Sequence, residues 1–388
     1  MDLNAIQSAL RELGFDCWLF YDHHHRDPIS YKVLGLPENL FVTRRWFYLI
    51  PRKGDPVKLV HRIEAGHLDT LPGGKSEYSS WRELWDNLRA MLDTSKKVAM
   101  QYSPNNLIPY IGLVDAGTVE LVRSFGKEIV SSGDLVARFE AAWSDEQIKT
   151  HFAARDAVDE IVQAAFKEIG RRVGNGGTTE YQIQQWIAEA FRRDGLIAED
   201  MPIVAVNANS GNPHYEPHAE KSSPIKPGDF VLLDIWAKTK APNAVYYDIT
   251  WTGVIGTPTE KQKKIFNIVR DARDAGIQKV QDAFASRRRI AGWEVDEATR
   301  SHIVSSGLGQ YFTHRTGHSI GVTVHGNGAN MDNLETKDER EIIPNTCFSI
   351  EPGVYLPGEF GVRSEVNVLT RKGSAEVTGK IQRELVLI

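Results

Sequence analysis

Cysteine is almost missing from this 388-residue sequence: Cys17 and Cys347 are the two present, each inside an apolar run. Two such residues cannot make a disulfide scaffold, and they fit a reducing compartment. An excess of positive charge is missing as well. Lys and Arg number 46 against 51 Asp and Glu, a net charge of −5, so no global basic field points to nucleic acid or to an anionic membrane. The basic run Arg287-Arg288-Arg289 lacks interleaved aromatics and reads as a solvated loop. No apolar stretch approaches the length of a membrane span. Residues 1–16 alternate charged and apolar positions like an amphipathic helix, without the unbroken apolar core of a signal peptide. These absences give the expectation of a cytoplasmic protein with no nucleic-acid or membrane partner.

What is present is enough for two domains. Leu3, Ile6, Leu10 and Leu13 recur at helical spacing, and Gly14 stops that helix. Residues 15–21 read as a buried strand, followed by strand-like runs at 40–50 and 57–61, a Trp-bearing helix near 80–92 and an apolar run at 98–101. This alternation predicts a small α/β domain over residues 1–138, with a second domain over 139–388. In the second, Ser144-Asp-Glu-Gln is a capping-box pattern opening a helix over 145–172, and a second helix follows Thr178-Thr179. A strand at 202–207 and a hairpin of 230–237 with 245–254 come next. The order then repeats, with helices at 260–284 and 294–307 and strands at 320–325, 347–351 and 361–369. Helix, helix, strands twice over predicts a pseudo-symmetric α/β (α+β) domain.

The chemistry concentrates between His314 and Glu365. His-Arg-Thr-Gly-His-Ser-Ile-Gly (314–321), His325, Phe-Ser-Ile-Glu-Pro-Gly-Val-Tyr (348–355) and Gly-Val-Arg-Ser-Glu (361–365) follow one another. Glu351 and Glu365 lie in apolar strand-like runs, as do Asp234 and Asp248 upstream, and a buried carboxylate is costly unless a cation or donors neutralise it. Four such acids with His318 form the oxygen-plus-nitrogen ligand set of a two-metal hydrolase. Singly, Asp248 could be a strand-end cap and Glu365 an edge charge; together the five favour the metal reading. His214 and His325 stand as substrate-side groups that orient substrate or stabilise the tetrahedral intermediate. Arg363, two residues before Glu365 and on the same strand face by period-two geometry, either neutralises a buried acid or clamps a substrate carboxylate. His314 is open between a site role and a structural one. His23-His24-His25, His61, His67 and His218 read as loop residues.

These motifs, in this order, resemble the pita-bread metallopeptidase family, in its prolidase and aminopeptidase P branch. The resemblance covers residues from about 144 to 388, and the preceding α/β domain is similar to the N-terminal domain of that branch. It implies metal ligation by Asp234, Asp248, His318, Glu351 and Glu365, with His214, His325, Glu351 and Arg363 serving catalysis. It implies two divalent ions, manganese first, with cobalt, zinc or iron as alternatives. It also implies hydrolysis of the Xaa-Pro bond of dipeptides or short peptides by a metal-bridging hydroxide, and a homodimer. Trp251, Ser319 and Gly326 depart from the branch pattern around the substrate pocket. A creatinase-like C–N hydrolase and a non-catalytic binding protein are the alternatives; both are disfavoured by five intact ligands.

Overall fold

The computed structural model describes every residue, Met1–Ile388, in two compact units, Met1–Glu140 and Ala141–Ile388. In the first, helix α1 (Leu3–Leu13) starts where the Asp2 side chain accepts from the Ala5 amide and ends at Gly14, whose φ of 68° is the left-handed conformation that favours glycine. A six-stranded mixed sheet follows in the order β4-β3-β2-β1-β5-β6. Its strands are β1 (Cys17–Asp22), β2 (Trp46–Pro51), β3 (Val57–His61), β4 (Gly74–Tyr78), β5 (Lys97–Met100) and β6 (Glu128–Ser131). Strand β1 is buried on both faces, because Trp18 and Phe20 pack with Ile6 and Leu10 of α1 while Leu19 and Tyr21 pack with Leu84 and Leu88 of α2 (Trp81–Met91). Residues 40–45, expected as strand, are irregular. There the Glu64 carboxylate captures the amides of Thr43 and Arg44 at 2.9 and 3.0 Å, so those groups need no neighbouring strand.

The second unit sets two helix pairs against two sheets. Helices α3 (Asp145–Gly174) and α4 (Glu180–Arg193) each begin with a capping box, at Ser144 and Thr179. They cover a sheet containing β7 (Ile203–Val206), β8 (Phe230–Thr239) and β9 (Tyr247–Val254), the last two a long antiparallel pair. Helices α5 (Glu260–Ala285) and α6 (Gly292–Ser305) accompany a second sheet built on β10 (Cys347–Ile350), β13 (Val366–Arg371) and β14 (Ser374–Val377). Between β10 and β13 the chain makes a separate hairpin, β11 (Gly353–Leu356) with β12 (Phe360–Arg363).

Period-two alternation decides which residues face the helices. On β8 and β9, Leu233, Ile235, Ala237, Tyr247 and Ile249 join the core under α3 and α4, so Asp234, Trp236, Asp248 and Thr250 point the other way. On β10 and β13, Phe348, Ile350, Val366 and Val368 join the core with Val280 and Phe284 of α5, leaving Ser349 and Asn367 on the opposite face. The expected strand at 320–325 is reduced to Ser319–Ile320. Beyond it the chain turns back on itself, the Gly321 amide donating to Thr323 and the Gly326 amide to Ser319, so Val322 and Val324 line a loop. The expected strand 361–369 is broken between Arg363 and Val366.

His151 on α3 is fully buried, Nδ1 lying 2.7 Å from the Tyr246 carbonyl and Nε2 2.8 Å from the Thr378 hydroxyl. The neutral ring satisfies both, donating at Nδ1 and accepting at Nε2, and burial lowers its pKa to about 4. The unfolded chain, with histidine near its ordinary value of 6.5, therefore binds more protons between pH 6.5 and 4. Stability from this residue is complete above pH 6.5 and is lost as pH falls towards 4. Relative to wild type, His151→Leu will show a shallower fall in melting temperature between pH 6.5 and 4.5; parallel curves would contradict this.

Candidate metal centre

His318 reaches the site because residues 316–320 run antiparallel to β10. The Glu351 amide donates to Thr316 (2.7 Å), the Ser349 amide to His318 (2.9 Å), and the His318 amide to the Ser349 hydroxyl (2.9 Å). Gly317 permits this approach, since a Cβ there would stand 2.0 Å from the Ser349 carbonyl oxygen. The His318 Nδ1 lies 3.2 Å from the Ser319 carbonyl, an arrangement that fixes the proton on Nδ1 and turns the Nε2 lone pair to the carboxylates. Nε2 is 3.5 Å from Asp248 Oδ2 and 3.4 Å from Glu351 Oε1.

Asp248, His318 and Glu365 offer ligand atoms that all lie within 4.8 Å of one another, and all three residues are buried. Asp234 and Glu351 adjoin this trio. Thr250 Oγ1 lies 3.1 Å from Asp234 Oδ1 and 2.7 Å from Glu365 Oε2, so the hydroxyl can serve either carboxylate. Arg363 donates to Thr250 through Nε at 2.9 Å, to the Tyr355 hydroxyl through Nη1 at 3.2 Å, and to Asp234 through Nη2. Asn367 ties the two sheets together behind the acids, accepting from the Asp248 amide (2.9 Å) and donating to its carbonyl (2.7 Å).

Four carboxylates surround a single contacting guanidinium. Burial, with Glu351 alongside, drives Asp248 well above the ordinary carboxylate range. Burial and the Asp248 and Glu351 charges do the same to Glu365, while Asp234 is raised to about 7 by burial against the opposing pull of Arg363. Glu351 moves the other way. Burial raises it, but His318, His314 and Arg363 together bring it below the usual value. Asp248 Oδ1 and Glu365 Oε1 are buried without any hydrogen-bond partner. Orphaned carboxylate oxygens on two acids that cluster with an imidazole nitrogen are a good fit for cations.

A model of metallopeptidase family M24 matches residues 152–372. The chain belongs to this family. Among curated relatives, the Xaa-Pro dipeptidase of Pyrococcus horikoshii is 29% identical over 261 residues, 67% of this chain and 68% of that one. The crystal structure of a dipeptidase from the same organism superposes over 100% of both chains with a TM-score of 0.65 at 25% identity. The dipeptidase PepE of Mycobacterium ulcerans gives a TM-score of 0.71 at 22% identity, covering 100% of this chain and 96% of that one.

Within this M24 chain the other named residues divide. His325 is exposed, its ring edge-on to His318 at 4.3 Å between centroids, and the neighbouring His318 holds its pKa below the ordinary histidine value. His214 is exposed on the loop between β7 and β8, close enough for its charge to be felt at His325. His314 is part-buried, with Nε2 at 2.8 Å from the Tyr355 hydroxyl and Nδ1 at 2.6 Å from the Arg315 carbonyl, so it backs Arg363 through Tyr355. The proposed shared strand face of Arg363 and Glu365 does not exist. Glu365 sits in the break before β13, where its amide donates to the Thr250 carbonyl (3.2 Å), and it reaches the acids from there. His23 to His25 form a polar loop, His24 and His25 exposed, and His218 is exposed as well.

Sequence reasoning passed over Thr250, Tyr355 and Asn367. Thr250 was detectable as the residue two past Asp248 on the same face, a hydroxyl in an otherwise apolar run. Tyr355 acts by joining Arg363 to His314, and Asn367 through Asp248 on the other sheet, and neither left a local signal.

Proposed function

We propose that this chain is a dimetal peptidase that hydrolyses the Xaa-Pro bond in dipeptides or at the N-terminus of short peptides. The observation that carries this reading is the buried cluster of Asp248, Glu365 and His318, adjoined by Asp234 and Glu351, in which one oxygen each of Asp248 and Glu365 lacks a partner. Asp234, Asp248, His318, Glu351 and Glu365 would hold two divalent ions, and those ions would supply Lewis acidity and an ionised water near neutral pH. Manganese is the metal we favour, because one imidazole among carboxylates is a mainly hard-oxygen set. Arg363 keeps Asp234 in place. Glu351, the acid held below its ordinary pKa, is ionised at neutral pH, can take a proton and can pass it to the leaving nitrogen. His325 and His214 border the cage as donors for the substrate carbonyl and its developing oxyanion. A creatinase-like reaction or a purely binding role leaves the orphaned oxygens of Asp248 and Glu365 without a purpose.

The test is bound metal per chain together with turnover of Xaa-Pro dipeptides, Xaa-Pro tripeptides, Xaa-Ala dipeptides and creatine. Metal-dependent cleavage confined to the proline peptides is the expected result. Cleavage of creatine, or of Xaa-Ala as fast as Xaa-Pro, would overturn the assignment.

The working form is proposed to be a cytoplasmic homodimer. No helix is long and apolar enough to cross a membrane. Support for the dimer comes from the first unit, which carries no metal-ligating cluster of its own yet exposes Phe41, Ile63, Trp81 and Trp85. Sedimentation at micromolar concentration will show a species near twice the 43.5 kDa chain mass; a monomer alone would refute it.

A further inference from the structure

Trp236 stands two residues beyond Asp234 on β8 and directly across the ladder from Asp248, its Cα partner on β9. Period-two geometry puts its side chain on the face that carries both carboxylates, and a directly opposed pair brings the Cβ atoms to about 5 Å. The residue is half-buried, yet its Nε1 is shielded from solvent and has no hydrogen-bond partner. Other buried groups lack partners too. Trp251 shares the helix-facing side with Tyr247 and Ile249, whereas the Trp236 N–H alone among the unpartnered indoles lies on the strand face of the ligand carboxylates.

The ring is also held in place. It packs, with Val322 and Val324, against the cluster of Trp143, Ile148, Tyr246 and Ile320. Two residues further along β8, the Lys238 ammonium donates to the Val322 carbonyl at 2.6 Å and lies over the Tyr246 ring. That contact fixes the 321–326 loop beside the indole, and the same loop carries His325. Trp236 therefore lies between a metal-ligand carboxylate and the segment that presents His325. A rigid aromatic wall with an unmade buried hydrogen bond has its donor satisfied when an acceptor arrives.

We propose that Trp236 is a substrate-contacting, specificity-determining residue: its indole N–H donates to a peptide oxygen, and its ring forms one wall of the cleft over the cage. The oxygen is a backbone carbonyl or the terminal carboxylate, which share the acceptor chemistry. A fixed ring of this size beside the ligands limits the bulk of the peptide side chain lying against it, so small first residues are favoured over large ones. This inference rests on the peptidase reading and adds to it the feature that selects among peptides.

The experiment uses full-length, metal-loaded Trp236→Phe and Trp236→Ala with Ala-Pro, Leu-Pro and their C-terminal amides. Readouts are KM, kcat, bound metal, and calorimetric binding of analogues in which the scissile carbonyl is replaced by methylene. Trp236→Phe keeps an apolar ring and deletes the donor; KM is expected to rise about tenfold, the worth of one hydrogen bond, with kcat and metal unchanged. An effect lost on the amides assigns the acceptor to the terminal carboxylate, and an equal effect on acids and amides assigns it to a carbonyl. Trp236→Ala is expected to raise the relative use of Leu-Pro over Ala-Pro. Unchanged KM and analogue binding in Trp236→Phe would overturn the proposal, as would loss of metal, which would mean that the indole serves Asp248 instead. If Trp236→Phe does not fold, Trp236→Leu gives the same comparison. Should wild type cleave only dipeptides without proline, the Xaa-Pro reading falls, and the same variants assayed on those dipeptides still decide the role of Trp236.

Discussion

Glu351→Gln will cleave its peptide on the order of 10²–10⁴-fold more slowly than wild type, the usual worth of a positioned general acid–base, while the chain stays folded. Among the four clustered acids, Glu351 is the one whose pKa falls below its ordinary value; its carboxylate lies 3.4 Å from His318 Nε2 and accepts from the Ser349 hydroxyl at 3.0 Å. An amide there keeps the shape and can still accept that hydrogen bond. It cannot take up a proton, and it removes one of the four negative charges that would neutralise bound cations. The measurement is kcat beside bound metal and far-UV circular dichroism. Turnover within a few-fold of wild type in a folded, metal-loaded variant would remove Glu351 from the mechanism and with it the dimetal peptidase reading.

His325→Ala is expected to lower kcat by on the order of 10²-fold or more while leaving metal content and melting temperature nearly unchanged. A satisfied core histidine would behave in the opposite way, its loss removing a buried hydrogen bond at about 1–3 kcal/mol and lowering the melting temperature. The exposure of His325 argues for the first outcome, as does its place in a turn where Thr323 donates to its backbone carbonyl at 2.9 Å. Its ring makes no buried hydrogen bond that a truncation would break, and it stands against His318, the proposed nitrogen ligand. A large loss of thermal stability with turnover intact would exclude it from catalysis.

The repeated helix, helix, strand order was legible because it rests on local signals. Capping boxes at Ser144 and Thr179, and apolar alternation along β8 and β9, can be read one residue at a time. The acids were legible for the same reason: Asp234 and Asp248 interrupt apolar strands, and burial makes such an interruption expensive. Where tertiary bonds override local pattern, sequence misled. Val322-Thr-Val alternates like a strand, but Gly321 and Gly326 bond within their own loop, which lets it fold back towards His318. Arg363 and Glu365 have strand spacing, but the strand stops between them. Thr250 and Asn367 depend on partners more than a hundred residues away, and the role of the Tyr355 hydroxyl shows only once Arg363 and His314 are in place.

Asn367 bonds to both the amide and the carbonyl of Asp248 and so bolts one half of the second unit to the other. Asp234 and Asp248 come from the first sheet, and Glu351 and Glu365 flank the strands of the second, so an ion held by these residues would be shared between halves that belong to different helix layers. Ion affinity in such an arrangement is thermodynamically linked to the closing of the two halves upon each other. An ion present at a hundred times its dissociation constant would add about 2.7 kcal/mol to the joined state alone. Loaded protein would then melt as one cooperative block, and chelation would let the halves separate at lower temperature, with substitutions at Asn367 showing up as weaker ion binding although that side chain need touch no ion.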